Sequence, residues 1–253
     1  MSKFFVKPEA IIDGKATITG DDAVHISRVL RMKTNDEIII CDSNGLDYNG
    51  IISVVAEKLV EIELKDSWVC ENEPTTEITL FQGLPKGDKM DLIVQKCVEL
   101  GVSRIVPMST EFAVSKISDL MTEEKKLLRW NKISAEAAKQ CGRGVLPIVE
   151  NQMPIKAAAE RAKEYDLVFV PYEKCETTGM TRLKELLQEF KQRDFHDRPK
   201  LAFYIGPEGG FSEKEIEMFF KNSVTPISLG KRILRTETAG MAVLSILSFE
   251  IEV

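Results

Sequence analysis

The residues best suited to chemistry lie in two short segments near the C-terminus. Residues 205–212 read IGPEGGFS and residues 229–239 read LGKRILRTETA. Each segment follows an apolar run that predicts a buried strand, and each opens a helix. Glycine-bearing turns let a backbone approach a ligand closely, and the carboxyl ends of neighbouring strands are where α/β sheets bind ligands. The two segments together predict a ligand site, although either one alone also fits a plain strand-to-helix turn.

The second segment adds charge to this predicted site. Lys231, Arg232 and Arg235 place three cations within five residues, and Glu237 follows. We expect Thr236 to cap the last helix, whose N-terminal dipole would then point into the same crevice. Neither segment has the spacing of a triphosphate-binding or a dinucleotide-binding glycine loop, so those two ligand classes lose support.

The first 70 residues predict a small β-barrel. β-Branched and aromatic runs predict strands, residues 42–45 (DSNG) predict a hairpin turn, and a short helix from about Asp22 to Arg31 has Asp21 or Asp22 as its cap. The predicted strands cover residues 4–6, 16–19, 37–41, 48–55 and 59–64.

A polar segment at residues 71–76 (ENEPTT) is the best linker candidate, and the pattern then changes to alternating strands and helices. This alternation predicts a parallel α/β sheet, and Ser212 with Glu215 predicts a capping box ahead of a helix. The expected domains are 1–72 and 73–253. The predicted strands are 78–81, 104–108, 167–170, 201–205 and 225–229, and the predicted helices are 89–100, 123–140, 155–163, 183–190, 213–220 and 237–251.

Composition excludes several classes of protein. Of 253 residues, 43% are hydrophobic and 29% charged, with a net charge of −6, which is typical of a soluble globular protein. No apolar run is long enough to span a membrane, and no signal-peptide core follows Met1. Five scattered cysteines without a CxxC pair, and only two histidines, predict free thiols and no metal centre. We expect a cytoplasmic protein.

Taken together, IGPEGGFS and LGKRILRTETA resemble motifs of the bacterial 16S ribosomal RNA uracil-N3 methyltransferase family, within the SPOUT class of knotted S-adenosylmethionine enzymes. The resemblance continues through residues 25–31 (HISRVLR), 86–91 (KGDKMD), 95–102 (QKCVELGV) and 137–143 (AAKQCGR), so it covers essentially the whole chain. One departure lies in residues 109–114, where Phe112 and Ala113 stand in place of an arginine that commonly follows the glutamate in the family.

The resemblance implies an N-terminal PUA-like β-barrel that binds RNA and a C-terminal SPOUT α/β domain with a trefoil knot. It further implies a homodimer that acts on 16S rRNA of the small ribosomal subunit, with S-adenosylmethionine as methyl donor. The last helix has apolar residues on nearly all faces, so we expect it to be buried all round, by a second subunit or within one.

The donor pocket implied by the resemblance uses three loops. They follow the third, fourth and fifth apolar strands of the second domain. Its residues are Pro171, Tyr172, Glu173, Gly206, Pro207, Glu208, Gly209, Gly210, Leu229, Gly230, Ile233 and Leu234.

Methylation of uracil N3 requires removal of the N3 proton and alignment of donor and base. Arg235 is the candidate for stabilising negative charge on the uracil oxygens. Glu237 or Glu208 could accept the proton or order the loop, and helix capping explains either glutamate equally well.

Two basic stripes are candidates for RNA phosphate contact, although a solvated charged face is the usual explanation for either stripe alone. The candidate residues are His25, Arg28 and Arg31 on the first helix, Lys125, Arg129, Lys132, Lys139 and Arg143 on or just after the 123–140 helix, and additionally Lys86 and Lys89.

Two other functions remain open from the sequence. One is a SPOUT enzyme that methylates a ribose 2′-hydroxyl of tRNA or rRNA. The other is a non-catalytic RNA-binding or ribosome-assembly factor, which would carry a degenerate donor pocket. The sequence also leaves open which uridine is modified and whether free rRNA or an assembled subunit is the substrate.

Overall fold

The computed structural model describes residues 3–113, 120–173 and 179–252. The chain divides into two compact units. The first unit contains the chain up to Glu73 together with Ala138–Leu146, and the second contains Pro74–Ala137 and Pro147–Val253. The sequence prediction did not include the 138–146 segment in the N-terminal domain.

The first unit is built on a six-stranded mixed sheet in the order β1-β4-β5-β6-β3-β2. The β1 and β4 strands are parallel, and the other pairs are antiparallel. A short 3-10 helix, Pro8–Ala10, precedes β2. The strands are β1 (Lys3–Phe5), β2 (Ile11–Ile12), β3 (Lys15–Thr19), β4 (Glu37–Cys41), β5 (Leu46–Ala56) and β6 (Leu59–Val69).

The alternation of apolar and polar residues explains the buried face of this sheet. In β3, Ala16 and Ile18 are buried while Lys15, Thr17 and Thr19 are exposed, as the two-residue period of a strand requires. The five strands predicted from this pattern are confirmed. Their first residues differ from the prediction by at most two positions and their last residues by at most five. The two-residue strand β2 was missed. The predicted hairpin turn is also present, because the 42–45 segment joins the antiparallel pair β4 and β5.

The predicted helix at residues 22–31 differs from the structure. An α-helix, α1 (Gly20–Val24), passes into a π-helical turn, His25–Val29, and Arg31 then has a φ of 54°. The N-cap is Thr19, whose side chain makes no capping hydrogen bond. Asp21 and Asp22 lie inside the first turn, so the prediction that one of them caps the helix was wrong.

A buried ion pair closes the first unit around the 138–146 segment. Arg143 donates to Glu73 from Nε at 3.2 Å and from Nη2 at 2.9 Å, and the amides of Gly144 and Val145 donate to the same carboxylate. The Arg143 side chain is only 4% exposed. The prediction that Arg143 contacts RNA on a solvent-facing helix stripe is therefore wrong in this structure, since its guanidinium is buried against a carboxylate.

The second unit is built on a seven-stranded parallel sheet. Its main path is β10-β8-β7-β12-β11-β13, and β9 pairs with β8. The strands are β7 (Glu77–Gly83), β8 (Arg104–Ser109), β9 (Ile148–Val149), β10 (Met153–Pro154), β11 (Leu167–Pro171), β12 (Lys200–Ile205) and β13 (Thr225–Ile227).

Helices connect these strands, as expected for parallel pairs. They are α2 (Lys89–Glu99), α3 (Leu120–Cys141), α4 (Ile155–Glu160), which continues as a 3-10 helix at Arg161–Glu164, α5 (Gly179–Lys191), α6 (Glu213–Lys221) and α7 (Thr236–Leu247), followed by a π-helical turn at Ser248–Glu252. The last turn of α3, from Ala138, is grouped with the first unit.

The five strands and six helices predicted for this unit are confirmed, with shifted ends. Two strands of two residues each, β9 and β10, were missed because so short a run carries no periodic pattern. The aromatic core between sheet and α6 explains why the apolar runs are continuous: Tyr204 stacks on Phe81 at 4.6 Å and packs against Phe219 at the same distance.

The final helix is buried on one side within a single chain. Val243, Leu244 and Leu247 are fully buried, whereas Met241 and Ile246 are partly exposed and Ser245 is exposed. Within one chain, the prediction of burial on all faces is therefore wrong. Phe249, in the turn after the helix, is 71% exposed.

Among the described residues, no helix combines the length and the hydropathy needed to cross a membrane.

We predict that Arg143→Met lowers the free energy of unfolding by about 3–5 kcal/mol, because it leaves the Glu73 carboxylate buried without its cation. Burial raises the pKa of Glu73, but the hydrogen bonds from Arg143 and the backbone amides outweigh it, so the net pKa is lowered. The native pair thus adds stability above the unfolded-state pKa and loses it as pH falls through the folded pKa.

Urea unfolding at several pH values tests this prediction. The matched control is Arg28→Met, because Arg28 pairs with Glu57 in the same unit but both side chains are more than 60% exposed. That variant should change stability by less than about 1 kcal/mol. Equal losses in the two variants would contradict the assignment.

Candidate active site

A cavity of about 460 Å³ lies at the carboxyl edge of the parallel sheet in the second unit. The loops that follow β11, β12 and β13 form it, together with the start of α7. Its wall contains all twelve residues that the sequence predicted for a donor pocket, from Pro171 to Leu234. The wall also contains residues outside that prediction, namely Lys89, Ile205, Phe211, Ser228, Lys231, Arg232, Arg235, Thr236 and Ala239.

Glycines allow the loop after β12 to fold tightly against its neighbours. Gly210 has a φ of 69°, and its amide donates to the Pro207 carbonyl at 2.9 Å. A Cβ on Gly206 would lie 3.0 Å from the Gly210 backbone, and a Cβ on Gly83, at the end of β7, would lie 2.6 Å from Pro207 Cδ. Side chains at these positions would push the loop away from the sheet edge.

The capping box predicted at α6 is present and has a second function. The Glu215 amide donates to Ser212 Oγ at 3.4 Å, and the Ser212 amide donates to Glu215 Oε2 at 2.8 Å. The other carboxylate oxygen of Glu215 accepts the Glu111 amide at 2.8 Å. This buried glutamate therefore fixes both the helix start and the segment after β8 beside the cavity loop.

Thr236 connects three parts of the site. Its hydroxyl donates to the Gly206 carbonyl at 2.6 Å and accepts from Gln82 Nε2 at 2.9 Å. The same Gln82 amide group donates to the Gly83 carbonyl at 2.9 Å. The N-cap of α7 is Arg235, in an extended conformation, so the prediction that Thr236 caps the helix was wrong.

Gln82 was missed by the sequence reasoning, although it is fully buried beside the site. The available signal was a polar residue that ends the apolar run of β7, immediately before a glycine. A buried side-chain amide needs hydrogen-bond partners, and one of its two partners, Thr236, comes from the distant α7 segment.

A charged triad borders the cavity. Lys89 Nζ lies 2.7 Å from Glu208 Oε1 and 3.6 Å from Glu237 Oε2. The Lys86 amide also donates to Glu208. Burial raises the pKa of Glu208, but the hydrogen bonds from Lys89 and the backbone outweigh it and the net pKa is lowered. The hydrogen bond to Glu208 raises the pKa of Lys89. Lys89 also lies in the cavity wall, and its contact with RNA stays a prediction.

The loop after β13 carries exposed positive charge. Ser228 Oγ accepts the Gly230 amide at 3.1 Å, and Gly230 has a φ of 104°. Lys231, Arg232 and Arg235 follow and are all exposed. Within the described part of the chain, none of these three cations forms an ion pair.

The predicted RNA-contacting residues fall into two groups. Five cations have carboxylate partners: Arg28 pairs with Glu57, Arg129 with Asp91, Lys139 with Asp22, Lys89 with Glu208, and Arg143 with Glu73. The remaining five side chains are exposed, and they are His25, Arg31, Lys86, Lys125 and Lys132.

Phe112 lies where the sequence departs from its family pattern. It is 45% exposed, and its Cβ is 2.8 Å from the position that a Cβ on Gly209 would take. An aromatic side chain therefore packs directly on the glycine loop.

In the residues that the structure describes, no cluster of three or more His, Cys, Asp or Glu side chains could hold a metal ion.

The fold and the site together define an RNA methyltransferase. The family described as RNA methyltransferase domain matches residues 71–248, and the RNA methyltransferase PUA domain matches residues 18–65. More particularly, the chain belongs to the family of ribosomal RNA small subunit methyltransferase E. It is 33% identical to that protein of Bacillus subtilis over 93% of this chain and 90% of the relative.

Two further comparisons agree with this family. The ribosomal RNA small subunit methyltransferase E of a Synechocystis strain is 30% identical over 94% of this chain and 74% of that protein. The crystal structure of the Neisseria gonorrhoeae protein, bound to S-adenosyl methionine, has a TM-score of 0.81 at 28% identity, over 98% of this chain and 97% of that chain. The N-terminal unit is thus a PUA-like domain and the second a SPOUT α/β domain.

We predict that Gly83→Ala weakens binding of S-adenosylmethionine at least tenfold, because the added methyl would meet the Pro207 backbone nitrogen at 2.7 Å and displace the loop. Isothermal titration calorimetry measures the effect. The control is Gly240→Ala in α7, where a Cβ would meet Cys97 Sγ at an ordinary 3.6 Å. Unchanged affinity in Gly83→Ala, with its fold intact, would contradict this account of the loop.

Proposed function

We propose that this protein transfers a methyl group from S-adenosylmethionine to N3 of a uridine in the 16S rRNA of the small ribosomal subunit. The observation that carries the proposal is the convergence of the three predicted donor loops, with Arg235, on one cavity. The related proteins are named ribosomal RNA small subunit methyltransferases, and one of them was solved with S-adenosyl methionine. The 3-methyluridine product follows from the motifs that resemble the uracil-N3 family.

The cavity fits a donor of this size and chemistry. Its volume of about 460 Å³ lies within the range of small-molecule sites. The backbone of Gly206, Gly209 and Gly210 forms one wall, and Leu229, Ile233 and Leu234 supply apolar surface on another. A backbone wall suits a nucleoside, because amides and carbonyls can recognise a base edge while apolar side chains cover its faces. When bound, the donor supplies an electrophilic methyl group.

The protein's own residues must prepare the uracil. Loss of the N3 proton places negative charge on the ring oxygens, and the exposed Arg235 guanidinium at the cavity is the group that can stabilise it. Glu208 lines the cavity, whereas Glu237 lies outside its wall. We assign Glu208 as the proton acceptor, because it belongs to the cavity wall and Glu237 does not. Glu237 then acts only as a second ion-pair partner of Lys89, at 3.6 Å.

The wider assignments rest on the resemblance. We propose that the PUA-like unit binds RNA through His25, Arg28 and Arg31, and that the enzyme works as a cytoplasmic homodimer with a trefoil knot in its second unit. The partly exposed Met241 and Ile246 on α7, and the exposed Phe249 after it, offer apolar surface that a second subunit would cover.

The test is radiolabelled methyl transfer from S-adenosylmethionine to small ribosomal subunits from a strain that lacks this gene, followed by nucleoside mass spectrometry. The proposal expects 3-methyluridine. If a 2′-O-methylated nucleoside is found instead, the target is the ribose and not the base. Donor binding without any methyl incorporation, on subunits, naked rRNA and tRNA alike, would indicate a non-catalytic RNA-binding protein.

We predict that Arg235→Ala lowers kcat at least 100-fold while the dissociation constant of S-adenosylmethionine changes less than threefold. The reason is that the guanidinium acts on charge that develops on the base, a kind of contribution typically worth about 10²–10³ in kcat. Single-turnover methyl transfer and calorimetry give the two values.

The control for this variant is Arg193→Ala. Arg193 donates to the Asp166 carbonyl at the opposite, amino edge of the sheet, so its loss should leave kcat near the wild-type value. Near-normal turnover in Arg235→Ala would exclude the role assigned to Arg235.

A further inference from the structure

We propose that Lys231 and Arg232 bind backbone phosphates of the RNA strand next to the target nucleotide. This inference deepens the proposed function and rests on it, because it assigns the RNA contact to the cavity loop itself. The sequence prediction had placed RNA contacts on the predicted 22–31 helix, on or just after the predicted 123–140 helix and at Lys86 and Lys89. It had counted Lys231 and Arg232 only as positive charge at the ligand site.

The loop geometry presents both side chains at the cavity. Lys231 and Arg232 are exposed and also belong to the cavity wall. The turn before them is fixed by the hydrogen bond from the Gly230 amide to Ser228 Oγ. Tyr172, in the loop after β11, donates its amide to the Ile227 carbonyl at 2.9 Å, so the end of β13 is held to its neighbour. Two cations therefore stand at a defined edge of the site.

Carboxylate partners distinguish this loop from three of the cations that the sequence predicted for RNA contact. Arg129, Lys139 and Arg143 each already face a carboxylate. A phosphate would have to displace that carboxylate, and the gain in charge interaction would be small. Across the described residues, Lys231 and Arg232 have no such ion pair, so a phosphate there gains the full interaction and releases the counterions of the strand.

Two carboxylates, Glu173 and Glu208, belong to the cavity wall, and among the described residues neither forms an ion pair with this loop. Glu208 is hydrogen-bonded to Lys89 at 2.7 Å. Arg235, three residues after Arg232, adds a third positive charge. Extended chain spans at most about 10 Å over the three residues from Arg232 to Arg235 and about 14 Å over the four from Lys231. A nucleotide whose base reaches Arg235 therefore has its flanking phosphates within reach of both side chains.

The carboxylate of the methyl donor is the competing occupant. It carries a single negative charge, whereas the loop offers two adjacent exposed cations besides Arg235. A polyanionic strand that passes over the cavity opening matches this excess of positive charge better. If a phosphate is the occupant, the two cations contribute to the salt dependence of RNA binding. If the donor carboxylate is the occupant, they contribute to the affinity for the donor. The experiment measures both quantities.

The test compares Lys231→Gln/Arg232→Gln with Lys163→Gln/Lys221→Gln, which removes the same charge. Lys163 lies just before β11 and Lys221 ends α6 just before β13, so both control residues are at the amino edge of the sheet, away from the cavity. Binding of transcribed small-subunit rRNA is measured at several salt concentrations, and the dissociation constant of S-adenosylmethionine is measured by calorimetry.

The slope of the logarithm of the RNA association constant against the logarithm of the salt concentration should become shallower by about 1.4 in the loop variant. The reason is that two phosphate contacts are lost and each contact to a single strand contributes about 0.7. Donor affinity should stay within twofold in both variants, which also shows that the cavity is folded. The control variant should keep the wild-type slope to within about 0.3.

An unchanged slope in the loop variant would overturn the inference. An unchanged slope with weakened donor binding would assign these cations to the donor carboxylate instead. An equal loss of slope in both variants would show only a general charge effect and would likewise overturn it. Failure of the proposed function would be recognised separately, because the wild-type protein would then bind donor and RNA without forming 3-methyluridine.

Discussion

The site depends on the hydrogen bonds of one hydroxyl group. Thr236 donates to the Gly206 carbonyl and accepts from Gln82, a residue 154 positions earlier in the chain. These two contacts hold the start of α7, the loop after β12 and the end of β7 in one place. Because the hydroxyl and the amide are buried, leaving either group without its partner would cost free energy. The arrangement therefore fixes the three backbone segments from which the cavity is built.

Charged side chains border the cavity. Lys89 pairs with Glu208 and Glu237, and the loop after β13 carries three exposed cations. Glycine at positions 83 and 206 keeps side chains out of the space between the backbone segments, and Gly210 supplies the positive φ of the turn. The cavity wall thus combines backbone segments, which we propose contact the donor, with charged side chains, which we propose contact the RNA.

The sequence predicted this site well where the information was local. Strand periodicity, the Ser212–Glu215 capping box and the glycine turns each depend on residues within a few positions, and the resemblance placed twelve residues that the structure brings to one cavity. Gln82 and Thr236 could not be predicted as partners, because their contact joins distant segments. Arg143 has the spacing of a surface stripe, yet Glu73, 70 positions away, determines that it is buried.

The most direct test of the central claim is a crystal structure of the protein with S-adenosylmethionine. The account predicts that the donor occupies the cavity between the 206–210 and 229–234 loops, with its methyl group directed toward Arg235. A donor bound outside this cavity, or one whose methyl group points away from Arg235, would contradict it.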